Sequence, residues 1–193
     1  MNKSGDENRS VRNTKKRLKD GFLQLLQEKP VNEISVKELT ALADMNRGTF
    51  YTHYSDVYDL LGRIEDDYFA EFERSLAATA TTREELYAAL LNMFRYLGEN
   101  SQFFIAITGR NGDKSFGERL GRLMEDKCEG FWLRCFPGMP RNTFEIYKVF
   151  LLSGLHGLIR YWLFCGEHAT AEDMAAAASN MIYRCLTPDI NVN

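Results

Sequence analysis

Ser35-Val36-Lys37-Glu38-Leu39-Thr40-Ala41-Leu42-Ala43-Asp44-Met45-Asn46-Arg47-Gly48-Thr49-Phe50-Tyr51-Thr52-His53-Tyr54 is the stretch on which the reading of this chain turns. It reads as two short helices joined by a tight turn. Ser35 and Glu38 have the spacing of a capping box, which opens the first helix. Leu39, Leu42 and Ala43 recur at helical spacing and give that helix one apolar side. Asp44-Met45-Asn46 is the turn. A helix-turn-helix goes left-handed at the position of Asp44, where Gly is usual and Asp is tolerated. Asn46 is placed to cap the second helix. Phe50 and Tyr54, four apart, share the inward face, so Arg47, Gly48, Thr49, Tyr51, Thr52 and His53 point elsewhere.

That second face carries what a DNA major groove asks for. Arg47 can fork to a guanine edge, and Thr52 offers a hydroxyl and a methyl. Tyr51 and His53 can donate to phosphate. Gly48 adds no side chain, so the backbone can come close. An ordinary solvated helix face would also be polar, but here cap, turn and core positions agree with one another, which favours DNA reading.

Arg47-Gly-Thr-Phe-Tyr-Thr-His-Tyr-Ser55 resembles the recognition-helix signature of the tetracycline-repressor (TetR) family, and the likeness covers about residues 13 to 62. The resemblance implies that Thr49, Tyr51 and His53 contact phosphates or bases and that Ser35, opening the preceding helix, holds a phosphate. It further implies a regulator, a repressor, that is released or modulated by a small-molecule effector. Many members carry a Lys at the start of the fourth helix that pairs with phosphate. This chain has Ser55-Asp56-Val57-Tyr58 there, lacking that contact, and Asp56 would repel DNA if close.

The net charge of -3 conceals an asymmetry: residues 1 to 54 hold ten Lys/Arg against seven Asp/Glu, and the remainder holds fourteen against twenty. The basic residues are densest at Arg9, Arg12, Lys15, Lys16, Arg17 and Lys19. A basic first part on an acidic second part suits a nucleic-acid partner at one end. No apolar run is long enough to span a bilayer, and the polar N-terminus shows no secretory signal, so a cytoplasmic location is expected. Pro is scarce and strand-like alternation is absent, which predicts an all-α fold.

About nine helices follow from the pattern. A first helix over about Asn13–Glu28, with Leu18, Phe22, Leu25 and Leu26 as its stripe, braces the two-helix reader. Residues 1–10 read as a flexible arm, with Lys15, Lys16 and Lys19 near phosphates. Thus 1–54 is expected to be an N-terminal three-helix DNA-binding domain, and 55–193 a helical effector-binding and dimerisation domain. Helix four, from about Ser55 to Ala78, is the connector. The small residues at 77–82 read as a joint. Thr82 with Glu85 caps helix five, Gly98 closes it, and a short helix through Phe103, Phe104 and Ile107 follows. Arg110-Asn-Gly-Asp113 is a turn, helix seven spans about Lys114–Cys135, and 136–141 is a break. Asn142 with Glu145 is expected to cap helix eight, which runs to Cys165 before Gly166, and Thr170 caps helix nine.

The last two helices are apolar on more than one side, and two such helices suggest a two-fold four-helix dimer interface. Its candidate residues are Phe150, Gly154, Leu158, Trp162, Met174, Ala178 and Met181. The Gly154–Trp162 run also resembles the late helix of TetR-family members related to activators of dihydroxyacetone kinase genes. For an effector the candidate lining is Phe94, Phe104, Trp132 and Tyr147, with His156 and Arg160 supplying polarity. Catalysis is not expected. His156 and His168 have no nucleophile partner or metal-ligand spacing, and Cys128, Cys135, Cys165 and Cys185 show no C-x-x-C pair, so no cofactor or metal is called for.

The resulting expectation is a homodimer that puts the helix around Arg47–Tyr54 of each subunit into a major groove of a pseudo-palindromic operator. Ser35, Lys37, Thr49, Tyr51 and His53 would hold phosphates, and Arg47, Gly48 and Thr52 would meet base edges. The rival reading is a sensor or interaction module acting through a protein partner, including a coactivator-type regulator. A cysteine-dependent enzyme would instead reveal itself as a fast-reacting thiol at Cys128 or Cys135.

Overall fold

A computed structural model describes residues 3–76, 80–136, 138–165 and 169–186. Among them the chain forms nine α-helices, one short 3-10 turn and no strand: α1 Lys3–Glu28, the turn Val31–Glu33, α2 Val36–Leu42, α3 Arg47–Tyr51, α4 Val57–Ser75, α5 Arg83–Glu99, α6 Ser101–Thr108, α7 Lys114–Cys135, α8 Arg141–Cys165 and α9 Ala171–Leu186. The all-α expectation holds. None of these helices is long and apolar enough to cross a membrane.

Helix α1 starts ten residues before the expected Asn13 and takes in most of the supposed arm; residues 1 and 2 lie outside the described residues. The extension has no apolar stripe, so its helical state leaves no periodic signal. Helix α4 begins at Val57 rather than Ser55. Asp56 accepts the N–H groups of Tyr58 and Asp59, both at 2.8 Å, and so caps it. The expected cap of helix eight fails. That helix opens at Arg141, and Asn142 Oδ1 takes only the neighbouring Thr143 N–H, while Glu145 pairs with Arg141 and Lys148. Residues 77–79 of the expected joint, Pro137 of the break, Gly166 and His168 lie outside the described residues.

The chain divides into two compact units, Met1–Tyr68 with Gln102–Gly117, and Phe69–Ser101 with Glu118–Asn193. The division does not follow a cut at 54/55, because α6 and the start of α7 group with the helix-turn-helix. In the first unit Tyr68 stacks on Phe103 at 3.7 Å, and Phe103 meets Phe116 edge-on at 5.4 Å. Asn111 in the α6–α7 turn donates to the Gln27 carbonyl at the end of α1 (3.2 Å). Leu18, Phe22, Leu39, Phe50 and Leu60 are wholly buried.

In the second unit α5 lies along α9. Arg95 pairs with Glu172 at 2.7 Å, and Arg83 donates to Asn180. Helix α5 opens on a complete Thr82–Glu85 capping box, and the bonds from Thr81 and Thr82 hold the Glu85 carboxyl below its ordinary range. Thr170 and Asp173 exchange the same kind of bonds at the start of α9. Gly98 does not end α5, which runs on to Glu99. Its bare backbone admits the Trp162 ring instead: a Cβ there would stand 2.9 Å from Cη2 of the indole. Trp162 meets Phe94 edge-on at 5.5 Å and donates to the Ala169 carbonyl at 2.8 Å.

Candidate nucleic-acid interface

The reader is held by its turn. Asp44 is the only non-glycine residue at positive φ among the described residues (φ 50), as its place in the sequence predicts. Arg17 of α1 donates to the Asp44 carbonyl at 3.2 Å and to its carboxylate at 3.1 Å. In the sequence Arg17 is one of a run of basic residues. Its role depends on a contact across 27 residues that no local pattern signals.

Ser35 caps α2, accepting the Glu38 N–H at 3.2 Å. The return half of the predicted box is absent, because the Glu38 carboxylate takes the Lys29 ammonium at 2.6 Å. Leu42 is 43 % exposed, whereas Leu39 and Ala43, the other two residues of the expected stripe, are buried. Asn46 caps α3, accepting both the Thr49 N–H (3.0 Å) and the Thr49 hydroxyl (3.1 Å).

Phe50 and Tyr54 are buried as expected and anchor α3. Burial pushes the Tyr54 phenol above its ordinary pKa, against a smaller opposing pull from Arg63. Outward, Ser35, Lys37, Arg47, Gly48, Tyr51 and Thr52 are exposed, while Thr49 and His53 are half-buried. Tyr51 is aimed by an edge-on contact with Phe50 (5.4 Å) and stays 58 % exposed. Neither Arg47 nor Lys37 has a carboxylate partner among the described residues.

Two hydroxyls are already engaged. Thr49 gives its proton to Asn46, and Thr52 gives its own to the Gly48 carbonyl at 2.9 Å. Phosphate offers only acceptors, and Ser35, Lys37, Tyr51 and His53 are the side chains of this face that keep a donor for one, while Thr52 keeps a methyl and an acceptor lone pair. On α1 the expected trio separates. Lys15 is exposed, Lys16 pairs with Asp20 at 3.5 Å, and Lys19 turns over the Tyr68 ring at 4.4 Å. Asp56 directs its carboxylate at the N–H groups of α4, the positive end of that helix.

The second unit holds a cavity of about 260 Å³. Of the six residues expected to line it, Trp132 does. Phe94 is packed against Trp162, Phe104 belongs to the first unit, and Tyr147 backs Trp132 from outside the cavity. His156 and Arg160 are exposed, with Arg160 over the Phe164 ring. The walls are aliphatic residues such as Leu90, Met93 and Leu155, which carry no signal beyond helical period.

Among the expected dimer residues, Phe150, Gly154 and Met181 are exposed and Leu158 is half-buried. Trp162, Met174 and Ala178 serve the packing of their own unit, the last two being 5 % and 1 % exposed. Ile146, Val149, Tyr161 and Phe164 extend the exposed apolar face along α8.

Cys128 and Cys135 are poor nucleophiles. Burial pushes the Cys128 thiol up to about 11, against a smaller opposing pull from Lys148, and Cys135 is also raised by burial. At neutral pH Cys128 should hold about a hundredfold less thiolate than an ordinary thiol. Under iodoacetamide, exposed Cys165 should therefore label first and Cys128 last, with the Cys128 rate climbing as pH rises toward its pKa. Equal rates at pH 7.5, read by peptide mass spectrometry, would restore the reactive-thiol reading. Among the described residues no group of His, Cys, Asp and Glu is placed to hold a metal ion.

Residues 84–184, just over half of the chain, match the family described as transcriptional regulator C-terminal region, a TetR-type domain. The chain belongs to the TetR family of transcriptional regulators, which are transcription factors rather than enzymes. Solved structures of similar fold include a TetR-like regulator from Rhodococcus sp. RHA1 (TM-score 0.67, 16% identity, 91% of this chain and 97% of that one). A TetR regulator from Streptococcus agalactiae 2603V is also similar (TM-score 0.61, 23% identity, 93% and 98%). So is the dihydroxyacetone kinase operon activator DhaS (TM-score 0.60, 19% identity, 89% and 95%). No curated protein matches the sequence.

Proposed function

We propose that the protein is a dimeric DNA-binding repressor whose two α3 helices enter major grooves about 34–36 Å apart, one turn of the duplex, on a pseudo-palindromic operator. The observation that carries this reading is the α3 face itself. Arg47 and Tyr51 stand exposed on a helix whose other side is locked by Phe50 and Tyr54 and whose entry is fixed at Asp44. Ser35 and Lys37 flank it and, with Tyr51 and His53, would position the backbone; Arg47, Gly48 and Thr52 would meet bases.

The exposed α8 face would join two copies, and the cavity of the second unit would take a small-molecule effector. Helix α4 contributes residues to both compact units, which suits the role of connector. An effector changes DNA affinity only to the extent that it prefers one dimer geometry. Arg47→Ala should weaken operator binding by about 1–3 kcal/mol and relax discrimination at one base pair, measured by mobility shift on a panel of single-base operator variants. Equal weakening on every sequence would reassign Arg47 to phosphate.

The second reading is a regulator that acts through a protein partner, an activator included. The Gly154–Trp162 run and the operon-activator description of one structural relative favour it. It differs in one measurable respect: the purified protein alone would not select an operator.

A further inference from the structure

The cavity in the second unit is apolar in its body and cationic at one edge. Leu90, Met93, Phe131, Trp132 and Leu155 supply aliphatic and aromatic wall. Lys127 and Arg134 of α7 line it too, seven residues apart and so on one side of the helix, with Gly130 between them. The missing side chain at 130 lets the guanidinium fold back over the helix: a Cβ there would stand 3.2 Å from Arg134 Nη1.

Lys127 and Arg134 are exposed, and neither has a carboxylate partner among the described residues. Arg95, Arg122 and Arg141 of the same unit are all paired. Asp126 also reaches the lining and leaves the three charges at a net of one positive. A charged group at the edge of an apolar chamber fixes a ligand's orientation as well as its sign. A guanidinium presents a planar fork that matches a carboxylate, where an ammonium presents a point charge.

From these features we infer that the cavity takes an amphiphile with one anionic head, of the size of a medium-chain carboxylate. The hydrocarbon lies against Leu90, Met93 and Trp132, and the carboxylate sits on Arg134 with Lys127 beside it. This rests on the effector reading above and names the effector's class. At about 260 Å³ the chamber is at the small end of ligand sites and suits a single short chain.

The test is calorimetric titration of the full chain with three probes that share a ten-carbon chain, decanoate, 1-decanol and decyltrimethylammonium, each kept below its solubility limit or micellar concentration. Decanoate should bind at least about tenfold more tightly than 1-decanol, and the cation most weakly. Between octanoate and decanoate the affinity should rise about four-fold per methylene. Arg134→Gln should bring decanoate down to the level of 1-decanol and leave 1-decanol unchanged. Met93→Trp, which fills the chamber, should abolish both.

Equal binding of acid and alcohol, a preference for the cation, or an acid preference that survives Arg134→Gln combined with Lys127→Gln would overturn the head-group assignment. Those results leave the cavity standing as an effector site. Binding that persists in Met93→Trp, or no binding by any probe, overturns the inference and the cavity reading together.

Discussion

Phe50→Ala should cost about 3–5 kcal/mol, the usual loss when a fully buried Phe is truncated. Phe50 is 0 % exposed and makes ring contacts with Tyr51 and Tyr54 at 5.4 and 5.7 Å. Helix α3 has only five residues, too few to persist without that anchor. The loss is a large share of the 5–15 kcal/mol that holds a typical domain. A thermal melt followed by circular dichroism should show the drop, and DNA binding should vanish with it. Tyr51→Ala is the control. Tyr51 is 58 % exposed, so its loss should leave the melt nearly unchanged while weakening DNA binding. A Phe50→Ala protein that melts with the parent would mean that α3 is held by something other than this anchor.

Val149→Glu together with Phe150→Glu should yield a monomer and lower operator affinity by about a hundredfold or more, because the gain from linking two half-site contacts is lost. Both side chains are 64 % exposed, and Ile146 and Tyr161 lie on the same long face at 71 % and 59 %. In the proposed dimer this exposed apolar stripe is the interface, and a two-fold axis would set each new carboxylate near its own copy. Neither residue is in the subunit core, so the melt of the monomer should stay close to the parent's monomeric unfolding. Light scattering reads the oligomeric state and mobility shift reads the affinity. A variant that remains dimeric would move the interface elsewhere, and a monomer with undiminished affinity would remove the need for two readers.

Local chemistry was the legible part of this chain. The caps at Ser35, Asn46, Thr82 and Thr170, the left-handed Asp44 and the buried Phe50 all follow from residue type and short spacing, and the structure places them so. What escaped depends on contacts distant in sequence. Arg17 on Asp44, Asn111 on Gln27 and Trp162 over Gly98 leave no periodic trace. The α1 extension escaped for the opposite reason, since an all-polar helix has no stripe to read.

Neither helix facing nor the family resemblance shows which hydroxyls are already spent inside the protein, as those of Thr49 and Thr52 are. For the cavity, aromatic content pointed at the core of both units, because a packed ring and a pocket wall have the same helical spacing. Asp56 was read by its charge when its position before α4 makes it a cap.

Two α3 helices reading one duplex are tested most directly by footprinting of the purified protein on fragments recovered by genomic pull-down, with affinity followed from 50 to 200 mM salt. Two protected half-sites with centres about 10–10.5 base pairs apart, or a multiple of that, and a fall in affinity on the order of a hundredfold across the salt range are the expected results. A fragment-independent smear, a single unpaired protected site, or binding indifferent to salt would contradict that reading.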